Sequence, residues 1–120
     1  MKVKQQRHLS REAWGALSRA LPYSNLTPAC VAKIVAGYGW AVWNIGNLSW
    51  VLTMINADEE IEVLLAGGAR ARECLPHWEA AMRAEPAHKG RVIRVDGRKG
   101  WARVLKNWER RDGVLYLRID

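Results

Sequence analysis

At 120 residues the chain has room for one domain with a real core, and not for two. An apolar fraction of 49% with 26% charged residues excludes an intrinsically disordered protein. The net charge of +7 and pI near 9.9 fit nucleic acid, an anionic cofactor or an acidic protein as partner, or plain solubility, and choose none of them.

Seven Trp and no Phe is an unusual aromatic content. Trp14, Trp40, Trp43, Trp50, Trp78, Trp101 and Trp108 occur in nearly every segment and read as core, because buried aromatics dominate small interiors. Cys30 and Cys74 lie far apart, which fits a reducing compartment with both as small buried apolar residues. The basic N-terminus is followed by no apolar core, so no signal peptide is read there. No run approaches the ~18 apolar residues that a membrane span needs. The expectation is a cytoplasmic protein with no membrane span.

In chain order, residues 1–9 (Lys2, Lys4, Arg7) read as a loose basic lead-in. Ser10 caps a helix from Arg11 to about Ala20, with Ala13, Trp14, Leu17, Ala20 and Leu21 on one face and Pro22 as its stop. Thr27-Pro28, an N-cap followed by Pro at the first helical position, starts a second helix that runs to about Ala36 and ends at Gly37. Three strands follow: WAVWNI (40–45), a Gly46-Asn47 hairpin signal, SWVLTMI (49–55), a turn at Asn56-Ala57-Asp58, and 60–65. Links this short predict an antiparallel meander.

After Gly67-Gly68 the apolar period changes. Ala71, Cys74, Leu75, Trp78, Ala81 and Met82 form a helical stripe, which Pro76 should kink or divide. Pro86 and Gly90 end it, RVIRV (91–95) is a short strand, and Gly97 turns the chain. Arg98 to Trp108 reads as a helix carrying Trp101, Val104, Leu105 and Trp108 on one side. Asp112-Gly113 is a turn and VLYLRI (114–119) a closing alternating strand. The β-α-β step requires a crossover, so 60–65 and 91–95 should be parallel neighbours. The expected fold is α/β over residues 1–120: an antiparallel meander, then a β-α-β crossover, in one mixed sheet flanked by helices.

The stretch IEVLLAGGARARECLPHW, 61–78, runs a strand into two glycines and then into a basic helix. Chains do this to deliver phosphates to a helix N-terminus, and also where a strand simply needs a turn. Taken with the element order, VLLAGGARAREC followed by IRVDGRKGWARVLKNWE and a closing strand resembles the GNAT acyltransferase superfamily, in particular the short GNAT-like proteins of bacteriophages. The resemblance covers nearly the whole chain by element order and is closest in residues over 61–119. It implies acetyl-CoA as cofactor, its pyrophosphate cradled by Gly67, Gly68, Ala69, Arg70, Ala71 and Arg72. Glycines there permit close backbone approach, the helix start offers unpaired donors, and Arg70 and Arg72 add charge-assisted bonds. The family's Arg/Gln-x-x-Gly-x-Gly/Ala spacing is absent: both glycines come early, and Arg70 and Arg72 stand where small residues are expected.

The same resemblance implies a carboxylate base on the third strand of the meander. Glu60 and Glu62, as alternate residues on one face, are the candidates, with a solvated strand face as the other reading. Matching KNWE to the family's Leu-Gly-Phe-Glu ending places Arg103 where the family has its Tyr acid. An Arg cannot donate that proton, although its charge can stabilise a thiolate. Tyr116, on the last strand, reads as packing.

Cys74 and His77 are three apart on a helix, but no second pair at ligand spacing exists, so no metal site is expected. The first two helices do not make a DNA reader, since the second offers only Lys33 among Val31, Ile34 and Val35. Nucleic acid could instead meet Arg98, Lys99, Arg103, Lys106, Arg110 and Arg111. Three functions therefore stand. One is N-acyl transfer from acyl-CoA to an amine by a phage-type protein. Another is a non-catalytic phage protein that contacts a phage or host protein in virion assembly, genome ejection or host takeover. The third is a basic nucleic-acid binder.

Overall fold

The alternation over 40–55 builds the middle of the sheet. Strands β2 (Trp40–Ile45) and β3 (Ser49–Ile55) form an antiparallel hairpin around Gly46-Asn47-Leu48. Gly46 and Asn47 both take left-handed φ, 59° and 58°, the conformation for which such turns select Gly and Asn. Asn44 and Asn47 lock the loop side chain to side chain at 2.8 Å. The computed structural model in which this is seen describes residues 1–96 and 103–120.

Strand β4 (Ile61–Gly68) pairs antiparallel with β3 and completes the meander. It is connected by an Asx-type turn in which Asn56 Oδ1 accepts from the N–H groups of Asp58 and Glu60. Helix α3 (Ala71–Ala84) carries the crossover to β5 (Val92–Asp96), which lies parallel to β4. The chain closes with β6 (Glu109–Arg111) and β7 (Val114–Arg118), and β7 inserts between β5 and β6. With β1 (Val3–Gln6) the order across the seven-stranded sheet is β1-β2-β3-β4-β5-β7-β6. The α/β mixed sheet, its meander and its parallel crossover are as the sequence predicts.

Several elements differ from expectation. Residues 1–9 do not trail loosely, because Val3–Gln6 pairs antiparallel with β2 from Val3↔Ile45 to Gln6↔Val42. VKQQ has no apolar alternation by which to find it; the neighbouring strand's open edge makes it a strand. Similarly, β6 reads ERR, all exposed, and is held by β7. Helix α1 (Arg11–Leu17) starts where Ser10 Oγ accepts from the Ala13 N–H, but it is shorter than expected. A 3₁₀ turn, Ser18–Tyr23, continues from it and contains Pro22, whose fixed φ suits such a turn. Helix α2 (Pro28–Ala36) begins and ends as predicted, with Thr27 Oγ1 accepting from the Cys30 N–H.

Pro76 does not divide α3, which is helical throughout. What the proline removes is the N–H that would have bonded the Arg72 carbonyl. Of the helix expected over 98–108, residues 97–102 lie outside the described residues, and the helical conformation ends at Val104. Lys106-Asn107 is a turn instead, and Trp108 leads directly into β6. The reason lies in Trp108, whose Nε1–H donates to Glu79 on α3 while its ring stacks on Trp78 at 6.3 Å.

Each face of the sheet has its own core. On one, Cys74, Leu75, Trp78 and Met82 of α3 pack on Trp43, Ile45, Val51, Ile61, Val63 and the apolar side of β5 and β7. On the other, Ala13, Ala16, Leu17 and Val31 of α1 and α2 pack on Val42, Trp50, Leu52 and Leu65. Among the described residues that second core contains nothing from β5, β6 or β7. Among the described residues no helix is long and apolar enough to cross a membrane.

Candidate functional site

The two halves of the sheet meet at β4 and β5, and they meet only briefly. The parallel ladder consists of Ile61↔Ile93, Glu62↔Arg94 and Val63↔Val95. At the next residue β4 bulges: Thr53 faces Val63 and Leu52 faces Leu65, leaving Leu64 over. The extra residue turns Leu65 toward the α1–α2 core, whereas Ile61 and Val63 face α3. Bulges of this kind terminate pairing and re-aim side chains beside active sites. From Leu64 to Gly68, β4 is paired only with β3 among the described residues. Among the described residues no strand takes up its peptide groups on the β5 side.

A cleft of about 470 Å³ lies in this split on the α1–α2 side. Its floor is Glu62 to Ala66, one wall is Val95 and Asp96, and its roof is Ala20 with Tyr23 to Leu26. Ser24 shapes that roof by donating to the Leu21 carbonyl while accepting from the Leu26 N–H.

At the floor, Glu62 Oε1 accepts from Arg94 Nη1 at 2.5 Å, and Arg94 Nη2 lies 3.5 Å from Asp96 Oδ2. The guanidinium is held above its ordinary pKa, chiefly by the Tyr116 hydroxyl and then by Glu62 and Asp96, with desolvation opposing. Of the two expected carboxylates, only Glu62 lines the cleft. Glu60 precedes β4 and closes the turn before it, accepting from Asn56 Nδ2 at 3.1 Å. The two therefore do not act as one pair.

The glycines also part from expectation. Gly67 and Gly68 belong to β4 itself, not to the turn after it. A Cβ on Gly67 would stand 2.3 Å from the Ala16 carbonyl oxygen, and one on Gly68 2.3 Å from that of Leu48. Backbone packing therefore accounts for both glycines without a ligand. The turn is made by Ala69 and Arg70. Ala69 N–H donates to Leu48 O at 2.8 Å, Ser49 Oγ–H donates to Ala69 O at 2.6 Å, and Arg70 sits left-handed at φ 59° as the N-cap of α3.

The Glu73 and Cys74 N–H groups both go to the Arg70 carbonyl. Those of Ala71 and Arg72 have no protein acceptor among the described residues, as expected of a helix start. The Arg70 side chain is exposed and paired with Glu73 at 3.4 Å. Arg72 instead lines a second concavity of about 530 Å³, on the α3 side, with Pro76, Arg103, Val104 and Lys106.

Thus Arg103 and Lys106, expected on a nucleic-acid surface, converge with Arg72, expected at a cofactor. Arg98 and Lys99 lie outside the described residues. Arg110 and Arg111 sit on the far edge strand, where Arg111 binds Glu109 at 2.9 Å and covers the Tyr116 ring at 4.7 Å. Cys74 is buried as expected, but Cys30 is exposed on the first turn of α2. There its thiol accepts from the Thr27 hydroxyl at 3.2 Å, which lowers its pKa.

Sequence reasoning did not find the roof residues, Asp96, Arg94 or the Leu64 bulge. Arg94 and Asp96 had a signal, because in RVIRVD they alternate with Ile93 and Val95 and so fall opposite the core face. No protein-family model matches the chain, and no curated protein or solved structure matches it.

Proposed function

We propose that the chain is a GNAT-like protein that binds an acyl-CoA thioester and passes its acyl group to an amine. The observation that carries this reading is the parting of β4 from β5 at a bulge, between a basic concavity on one sheet face and a carboxylate-lined cleft on the other. An amide-bearing arm can pair with the open β4 edge as a further strand would. The N–H groups of Ala71 and Arg72 at the start of α3, with the Arg72, Arg103 and Lys106 side chains, supply what phosphates need.

The chain's own residues then divide the work. Peptide N–H groups at the β4 bulge polarise the thioester carbonyl. Glu62 has one oxygen engaged by Arg94, which fixes its orientation, and its other oxygen takes the amine proton directly or through water. Arg103 steadies the departing thiolate by its charge. With both glycines used in packing, phosphate binding leans on side chains more than in the family pattern. The test is thiol release from acetyl-CoA across a panel of amines. Glu62→Gln should lower kcat/KM by about 10²- to 10⁴-fold. An absence of thiol release with every amine, in a protein that still binds acetyl-CoA, would sink the transfer step.

One observation favours a second reading, a contact role with a phage or host protein. Helix α2 buries only Val31, while Ala29, Cys30, Ala32, Ala36 and the neighbouring Tyr38, 100% accessible, face outward. An apolar surface of this kind invites a partner. The nucleic-acid reading has less behind it, because Arg72, Arg103 and Lys106 line a concavity and Arg111 is already paired.

A further inference from the structure

The concavity on the α3 side has two walls that come from different parts of the chain. Arg72, Pro76, Glu79 and Arg83 are spaced i, i+4, i+7 and i+11, so they share one stripe of α3. Arg72 and Pro76 line the concavity from that stripe, and Arg103, Val104 and Lys106 line it from the segment before β6. Glu79 is the next step along the stripe, about 10 Å from Arg72 along the axis. There it accepts from the Trp108 Nε1–H, so one bond ties the second wall to the first.

That second wall has no helix or ladder to place it. The helical conformation ends at Val104 and β6 begins at Glu109, with Lys106-Asn107 a turn between them. Two buried side chains hold the turn: Leu105 in the α3 core, and Trp108 stacked on Trp78. The Trp108 backbone N–H closes it on the Leu105 carbonyl at 3.3 Å. Lys106 thus stands between two anchors, one of which Glu79 fixes. The Glu79 carboxylate is engaged by Trp108 and Arg83, and forms no ion pair with Arg72, Arg103 or Lys106.

We propose that Glu79 and Trp108 are positioning residues for an anion site: their bond holds Lys106 opposite Arg72, so that one phosphate-bearing ligand meets both. The proposal rests on the proposed function only for that ligand. Charge and position predict opposite signs here. Glu79 is an acid on the same stripe as Arg72, so by charge alone its removal strengthens anion binding. By position, loss of its acceptor weakens binding. Glu79→Ala and Glu79→Gln make the same charge change and differ in keeping the acceptor.

The experiment is calorimetric titration of the full chain with acetyl-CoA and, separately, with inorganic pyrophosphate, at a temperature where circular dichroism shows each variant folded. Glu79→Ala should bind about fivefold more weakly than Glu79→Gln. Lys106→Ala should weaken binding about fivefold in the Glu79→Gln background, the effect of one exposed charge pair, and less than about twofold in Glu79→Ala. A Glu79 that serves stability alone would leave the affinity of the folded protein and the effect of Lys106→Ala unchanged. Equal affinity in the two Glu79 variants, an undiminished Lys106→Ala effect in Glu79→Ala, or no binding of either anion would overturn the proposal. If pyrophosphate shows the pattern and acetyl-CoA does not bind, the acyl-transfer reading falls and this one stands. Acetyl-CoA binding that is equal in the two Glu79 variants does the reverse.

Discussion

The carbonyl oxygen of Ala16 lies 2.3 Å from where a Cβ on Gly67 would stand. The last turn of α1 rests directly on β4, and nothing larger than hydrogen fits between them. Gly67→Ala must therefore move helix or strand, and should cost about 3 kcal/mol, the upper part of the overpacking range. Gly15 provides the contrast, being exposed on α1 with no atom within 4 Å of where its Cβ would stand. Gly15→Ala should stabilise by roughly 0.5–1 kcal/mol through helix propensity. Urea unfolding of the two variants beside the wild type checks both signs.

Trp108 is tied to α3 by its indole N–H donating to Glu79 across 29 positions of sequence. Glu79→Ala leaves that buried donor unpaired and should cost about 1.5–3 kcal/mol, the range for a bond to a charged group. Glu79→Gln keeps an acceptor and should recover part of the loss. Arg83→Ala breaks only an exposed ion pair with the same carboxylate and should cost under ~0.5 kcal/mol. Denaturation followed by tryptophan fluorescence separates the three.

The Thr27 hydroxyl and backbone lower the pKa of the Cys30 thiol. A lowered pKa means more thiolate at neutral pH, so iodoacetamide should label Cys30 at a lower pH than an unperturbed thiol. Thr27→Val should move the rate profile back up in pH. Any stability from this ionisation is present above the unfolded thiol's pKa and lost as pH falls. Cys74, buried in the α3 core, should react only after denaturation. Mass spectrometry of each cysteine against pH provides the check; equal rates at the two would contradict it.

What could be read from the residues was whatever periodicity and turn chemistry specify locally. The meander, both helix caps at Ser10 and Thr27 and the α3 stripe all carry such signals. VKQQ and ERR do not, since an edge strand is made by the strand beside it. The glycines misled for a related reason: Gly67 and Gly68 look like a turn in sequence, but their need for hydrogen side chains comes from Ala16 and Leu48, distant in sequence. At the site, Ala69 to Arg72 could be placed at the start of α3 from sequence. The cleft could not, because it depends on one surplus residue, Leu64, and on where β5 stops. Arg103 and Lys106 were legible as basic, but their convergence with Arg72 is a tertiary fact.

The most direct test of the account is thermal unfolding with and without acetyl-CoA, wild type beside Arg72→Glu. Acetyl-CoA at ~100 times its dissociation constant should add about 2.7 kcal/mol of stability, a rise in Tm of several degrees at this size. The account predicts that rise in the wild type and its loss in Arg72→Glu, which reverses the charge in the α3-side concavity. No shift at millimolar acetyl-CoA, or a shift that survives Arg72→Glu unchanged, would contradict it.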